Sequence, residues 1–427
     1  MEWQVLTHVF GFLNDASSGL IGFTFYYPLF MSYLWIVGGI HYYLRFERDA
    51  GPRTPPPLKS HPPVSILIPM RNEAGHARET VEHLAKQRYP NLEIVVVDDG
   101  STDDTGHILD ELMLDYPDLR VLHMSQNQGK AVALNMAAMC ARHEYLVCID
   151  GDALLDEDAV AWFMWHFASG PRVGGVTGNP RVRNRSTVLG KIQVGEFSSI
   201  VGLIKRAQRV YGRIFTVSGV VCAFRRRALH DVGFWSPEML TEDIDVSWKL
   251  QLAHWDIRFE PRALCWILMP ETLRGLWRQR LRWAMGGIQV IHRDFGAVLH
   301  WKSRRMWPVF GECVISVIWG HAIAAIFLLW LIGRFVQMPH PLAVQSVIPG
   351  WTGVLIGVTC LFQSAVALFL DRRYDRNLAR IFYWMIWYPL VYWLINMLTT
   401  VCAVPAVILR RRTERAVWVS PDRGLSG

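Results

Sequence analysis

The 427-residue chain is 51% apolar and only 19% charged, with a formal charge of +7. Soluble proteins carry about 25% charged residues, so part of this chain is solvated by something other than water, and disorder, a collagen-like repeat and a small disulfide scaffold are excluded. Zinc-finger and RNP patterns are absent, so the basic excess reads as membrane-flanking charge and no nucleic acid is expected as a partner.

In chain order, the first feature is a stretch from Asp15 to Arg45 with no Asp, Glu, Lys or Arg between them. A helix needs about 20 such residues to cross a bilayer. The first membrane helix is therefore expected over about 20–43, within an N-terminal segment 1–50. Glu2, His8 and Asp15 ahead of it leave room for an interfacial piece. Arg45, Arg48, Arg53 and Lys59 follow, which reads as a retained anchor with residue 64 onward in the cytoplasm. Residues 51–63 are too rich in proline for helix or central strand and form a stiff linker.

From 64 to about 305 the pattern is that of an α/β domain. Short β-branched runs at 64–68, 94–97, 121–122 and 145–149 alternate with amphipathic stretches near 76–88, 104–115 and 130–142. That alternation implies βαβ units and a parallel sheet, with ligands beyond the carboxyl ends of the strands. The last third, 306–410, is apolar again, with spans expected at about 309–333, 348–370 and 381–409, and a tail at 411–427. Here charge counting conflicts with span counting. Three spans after a cytoplasmic domain carry the tail to the outside, yet Arg410, Arg411, Arg412 and Arg415 favour the cytoplasm. Either one stretch does not span, or the last, containing Pro389 and Pro405, is broken into re-entrant or interfacial pieces.

The polar motifs fall where the strands end. Asp98-Asp-Gly-Ser-Thr-Asp103 follows the second run. A helix cap needs one such residue; a second carboxylate can accept the imide N–H of a uracil or hold a ribose hydroxyl. Asp150-Gly-Asp152 follows the fourth run, and its two carboxylates can converge on one hard cation. The seven cysteines show neither a C-x-x-C pair nor metal-ligand spacing and read as reduced structural thiols. Gly129-Lys130 opens a helix and can cradle phosphate, but Ala131 and the missing upstream glycine exclude a Walker loop. Thr241-Glu-Asp-Ile-Asp245 heads an apolar helix; the helix dipole alone favours acids there, and a general base is the functional alternative. In 276–285, a basic amphipathic interfacial stretch, Gln279, Arg282 and Trp283 share one helical face.

The ordered set Asp98-Asp99, Asp150-x-Asp152, Thr241-Glu-Asp243, Gln279-x-x-Arg-Trp283 and flanking apolar spans resembles the inverting family 2 glycosyltransferases. Within them it is similar to the membrane-integrated processive synthases of cellulose, chitin, hyaluronan and poly-N-acetylglucosamine. Residues 241–251 and 266–287 sit nearest the poly-β-1,6-N-acetylglucosamine branch, with Met285 in place of an expected Gln. The resemblance implies a cytoplasmic GT-A (Rossmann-like) domain over 64–305, including an interfacial helix near 271–290, in the bacterial inner membrane. It also implies UDP-N-acetylglucosamine as donor, a growing polysaccharide as acceptor, and Mg²⁺ (or Mn²⁺). In that frame Asn72, Glu73, Asp98 and Asp99 meet the uridine, with Lys130 and Asp150 at the diphosphate and Asp150 and Asp152 on the metal. Asp243 is the base, while Glu242, Gln279, Arg282 and Trp283 hold the acceptor and leaving group. A small membrane partner subunit, possibly with cyclic di-GMP, is implied too, with the basic loop 371–380 as a candidate contact. The alternatives are a chitin-, hyaluronan- or cellulose-type synthase and a non-processive polyprenyl-phosphate sugar transferase. From another class comes a transporter or nucleotide receptor, against which the intact acidic motifs count.

Overall fold

The computed structural model describes residues 2–48, 54–339, 342, 344, 350–375, 377–410 and 415–416. The start of the proline-rich linker (51–53), Arg376 of the basic loop and most of the 411–427 tail lie outside the described residues.

Helix α1 (Glu2–Tyr42) precedes the α/β domain and continues as a π-helical turn to Glu47. The four apolar runs form β1 (Val64–Met70), β2 (Leu92–Asp98), β3 (Leu119–His123) and β4 (Tyr145–Ile149). Between them lie α2 (Ala77–Leu84), α3 (Thr105–Asp115) and α4 (Lys130–Cys140). All seven residues of β1 are buried, because helices cover both faces of the sheet. Its side chains alternate accordingly: Ile66 and Ile68 join one core, Leu67 the other.

The second half of the domain departs from the expected all-parallel sheet. It contains β5 (Leu154–Leu155), α5 (Ala159–Ala168), β6 (Val173–Val182), α6 (Val188–Phe197), α7 (Lys205–Tyr211) and β7 (Val221–Arg225). Then come α8 (Arg226–Asp231), α9 (Glu242–Leu252) and β8 (Asp256–Ile267). The sheet order is β3-β2-β1-β4-β7-β6-β8-β5. Strand β7 runs antiparallel to both neighbours, so the sheet is mixed. The reversal brings the 218–220 segment and the start of α9 to the same edge as the carboxyl ends of β1, β2 and β4.

Helix α10 (Leu273–Leu299) extends well beyond the expected interfacial stretch and leads into α11 (Trp307–Gly333), α12 (Trp351–Asp371) and α13 (Tyr388–Leu409). Among the described residues four helical segments are long and apolar enough to cross a membrane: Gly19–Glu47, Trp301–Gly333, Trp351–Asp371 and Tyr392–Leu409. The 381–409 stretch is divided, a 3₁₀ segment Leu378–Trp387 preceding α13. That segment packs on α6 of the α/β domain. Past α13 the chain returns to the same domain: Ala416 N donates to Pro237 O at 2.9 Å and Arg415 to Gln128 Oε1. The chain therefore meets the α/β domain both before and after α13, and Arg415 stays on the side of that domain.

Arginines of the α/β domain fasten it to the helices. Arg206 pairs with Glu47 at 2.6 Å and Asp371 at 2.9 Å, and Arg181 pairs with Asp371 at 2.6 Å. Arg185 pairs with Asp375 at 2.5 Å, and Tyr374 donates to Glu47 at 2.7 Å.

Candidate functional site

The strand-end motifs are drawn together by the loop that opens α4. Asp99, fully buried, accepts from the backbone N–H of Gln128 at 2.7 Å and of Gly129 at 2.9 Å. The next residue, Lys130, places Nζ 2.6 Å from Asp150 and 3.0 Å from Glu242. One loop thus ties the ends of β2 and β4 to the start of α9. Asp98 accepts from Ser101 N at 3.0 Å and faces His123 at 3.1 Å. Asn72, at a left-handed φ of 51°, accepts from Thr102 N at 2.8 Å, and the Glu73 N–H donates to Thr105 Oγ1 at 2.8 Å. These four residues build the turns at the ends of β1 and β2.

Two glycines make the remaining approaches. At Gly151 a Cβ would lie 2.9 Å from Met70 and 3.2 Å from Glu73, so only glycine lets the Asp150–Asp152 turn settle on the end of β1. At Gly286 of α10 a Cβ would lie 2.0 Å from Thr241 Oγ1. That contact lays Gln279, Arg282 and Trp283 beside Glu242 and Asp243, and Arg282 donates to Leu240 O at 3.3 Å.

The result is a cavity of about 870 Å³ whose walls include Lys130, Asp150, Asp152, Glu242 and Asp243. Gln279, Arg282 and Trp283 line it as well. It continues without a break among the apolar helices, past Trp35 of α1, Glu312 and Ser316 of α11, Gln363 of α12, and Asn396 and Thr400 of α13. Asn72, Glu73, Asp98 and Asp99 stand outside these walls, behind the 127–130 loop. Asp245 also turns elsewhere, pairing with Arg293 and with Lys249 at 3.5 Å.

The electrostatics are uneven. Burial and the neighbouring Glu242 carboxylate push Asp243 up to about 6, against the pull of Lys130 and Arg282. Burial would raise Glu242 too, but Lys130 and Arg282 hold it below the usual carboxylate range. Burial disfavours the Lys130 ammonium, yet Asp150 and Glu242 keep it firmly protonated. Backbone N–H groups of Ile244 (2.9 Å) and Gly219 (3.3 Å) fix the two oxygens of Asp243. Gln279 Oε1 is buried with no hydrogen-bond partner among the described residues, as expected of a group awaiting a ligand.

Asp150 and Asp152 are the residues that could hold a metal. No three His, Cys, Asp or Glu side chains gather into a metal site among the described residues. The chain alone therefore offers a partial shell, the one or two carboxylates that Mg²⁺ takes beside substrate phosphates.

Residues 61–286 match the family described as glycosyltransferase like family 2. The chain belongs to this family. Poly-beta-1,6-N-acetyl-D-glucosamine synthase of Staphylococcus epidermidis is 38% identical over 408 residues, spanning 95% of this chain and 98% of that protein. The synthase of the same name from Staphylococcus aureus strain MSSA476 is 38% identical over 409 residues, 94% of this chain and 98% of its own length. A mannosyltransferase from Pyrobaculum calidifontis, solved in complex with GDP-Man and Mn2+, superposes with a TM-score of 0.60 at 20% identity. It covers 93% of this chain and 99% of its own, and establishes a GT-A-like glycosyltransferase fold.

Several features of this family 2 site carry no motif signal in isolation. Arg280 pairs with the buried Glu196 at 2.6 Å and stacks 4.2 Å over the Trp283 ring, which holds that ring in place. It lies inside the Gln279–Trp283 stretch, so proximity was the available clue. Ser218, Gly219 and Lys205 reach the cavity from segments that nothing in the sequence marks.

Proposed function

We propose that this chain is a processive inverting glycosyltransferase that polymerises N-acetylglucosamine from UDP-N-acetylglucosamine into poly-β-1,6-N-acetylglucosamine, the exopolysaccharide of biofilms. The observation that carries the reading is the single cavity running from Asp150, Asp152 and Asp243 into the apolar helices. A polysaccharide is too polar for lipid, so synthesis at the mouth of a protein-lined path avoids a large desolvation cost. The synthases similar over nearly the whole chain supply the sugar and linkage.

In this reading the nucleoside sits at the ends of β1 and β2, where Asn72, Glu73, Asp98 and Asp99 shape the turns. Asp150 and Asp152 hold Mg²⁺ or Mn²⁺ together with the donor diphosphate; when bound, the cation neutralises charge on the leaving UDP. Lys130 and Arg282 add fixed positive charge at the same place. Asp243 removes the proton from the acceptor's C6 hydroxyl. That oxygen attacks the anomeric carbon opposite UDP, and the single displacement converts the α linkage to β. A proton affinity raised toward neutrality suits Asp243 to this task. Glu242 keeps Lys130 in position, Gln279 offers its unpaired oxygen to the acceptor, and Trp283 gives the sugar a flat apolar face.

Orientation follows from charge. Arg45, Arg304, Arg305, Arg372, Arg410 and Arg415 flank the apolar helices, which supports a cytoplasmic α/β domain and helices in the bacterial inner membrane. A small membrane partner, with cyclic di-GMP, is read onto the 371–380 loop, where Arg372 and Arg380 are exposed. Stimulation by cyclic di-GMP only in membranes that also contain the partner is the expected result.

Membranes carrying the chain, given radiolabelled UDP-N-acetylglucosamine, should make a long product that a β-1,6-specific hydrolase degrades and EDTA suppresses. A labelled lipid-linked monosaccharide, or a product resistant to that hydrolase, would contradict the reading.

A further inference from the structure

Every buried lysine or arginine among the described residues but one has a carboxylate within ion-pair distance. Arg181, Arg206, Arg213, Arg262 and Arg280 are matched in this way. The exception is Lys205 of α7, which is 5% exposed. Its Nζ donates to Ser218 Oγ at 2.7 Å and to Thr177 Oγ1 at 3.2 Å, both neutral. Thr177 Oγ1 also accepts from Ser218 N at 2.8 Å, so the two hydroxyls are fixed in place. An ammonium carries three N–H donors, and the third meets no acceptor among the described residues.

A cation buried without an acid is costly unless something else satisfies it. At Lys205 that something has a place to sit. Lys205, Ser218 and Gly219 all line the cavity, and Gly219 N donates to Asp243 Oδ2 at 3.3 Å. The ammonium is therefore one short segment away from Asp243, on the same wall of the cavity. Burial pushes Lys205 down to about 7, while the Asp243 carboxylate draws it back up. As ammonium or amine it retains N–H groups to donate.

We propose that Lys205 is an acceptor-site residue, donating a hydrogen bond to the terminal sugar of the growing chain and so aiming the attacking hydroxyl at Asp243. Sugar hydroxyl oxygens and an acetamido carbonyl are the matching acceptors. The inference rests on the reading of Asp243 as the acceptor-side base.

The test uses the full chain in membranes, with Lys205→Met to remove the donor and Lys205→Arg to keep one. Transfer is measured against the concentration of a β-1,6-linked N-acetylglucosamine oligomer, and UDP affinity is measured separately. Lys205→Met should raise the acceptor KM about 10- to 100-fold, the range carried by a hydrogen bond to a charged group, with UDP affinity unchanged. Lys205→Arg should recover part of the loss. An unchanged acceptor KM in Lys205→Met overturns the proposal. So does a parallel loss of UDP affinity, which marks a structural role. Asp243→Asn is run alongside: if it retains synthesis the base reading fails, while the acceptor KM still decides the case of Lys205.

Discussion

Two buried charge clusters in this molecule look alike in composition and differ in balance. Where the α/β domain meets the membrane helices, Glu47, Asp371 and Asp375 face Arg181, Arg185 and Arg206, three acids against three cations in bonded contact. At the cavity, Lys130 pairs with both Asp150 and Glu242, while Asp243 meets Lys130, Arg282 and Lys205 only through longer-range charge. The first cluster matches acid to base and acts as a clasp. The second leaves Asp243 with a raised carboxyl and no ion pair at contact distance among the described residues, and Gln279 with an orphaned amide oxygen, which suits a site that takes a ligand.

The contrast can be broken by substitution. Asp243→Asn should lower polymer synthesis about 100- to 10,000-fold, the usual contribution of a positioned base, and leave UDP binding intact. Glu47→Gln, in the clasp, should instead lower stability by about 1.5–3 kcal/mol, because Arg206 loses one of its two carboxylate partners and keeps only Asp371. Its mark is a drop in thermal stability with the acceptor KM unchanged in whatever enzyme stays folded. Gly286→Ala should cost about 1–3 kcal/mol as α10 is forced off Thr241. Activity should fall further than stability, since the same shift parts Gln279 and Trp283 from Asp243.

The smallest effect is in pH. In the proposed mechanism Asp243 acts as a base only when deprotonated, and its proton affinity is raised to about 6. Activity should therefore fall as pH drops through about 6, the value set by burial and Glu242 against Lys130 and Arg282. Glu242→Gln removes a neighbouring negative charge, so the acid limb of kcat/KM should move to lower pH. A limb that stays in place, or moves upward, would show that Glu242 does not set the proton affinity of Asp243.

The strand-end part of this site was legible in the sequence because its signals are local. The run 145–149 is β4 residue for residue, and Asp150-Gly-Asp152 follows it directly. The part around Asp243 and Lys205 depends on approaches between distant segments. Strand β6 contains Gly174, Gly175, Gly178 and Pro180, a composition that reads as loop; pairing with β7 and β8 makes it a strand. Lys205 acquires meaning only from Thr177 and Ser218, which the mixed sheet delivers to it. Likewise, Asp245 looked equivalent to Asp243 two residues earlier, but the helical turn directs it to Arg293 and out of the cavity. The division of 381–409 into a 3₁₀ segment and α13 was visible only as a conflict between span count and arginine placement.

The central claim is that the polymer leaves the catalytic carboxylates through the cavity between the membrane helices. A photo-crosslinker placed at Thr400, which lines that cavity, and at Ile318, exposed on the outer face of α11, tests it during synthesis from radiolabelled UDP-N-acetylglucosamine. Labelled polymer joined to position 400 and not to 318 is the predicted result; label absent from 400, or equal at both, would contradict it.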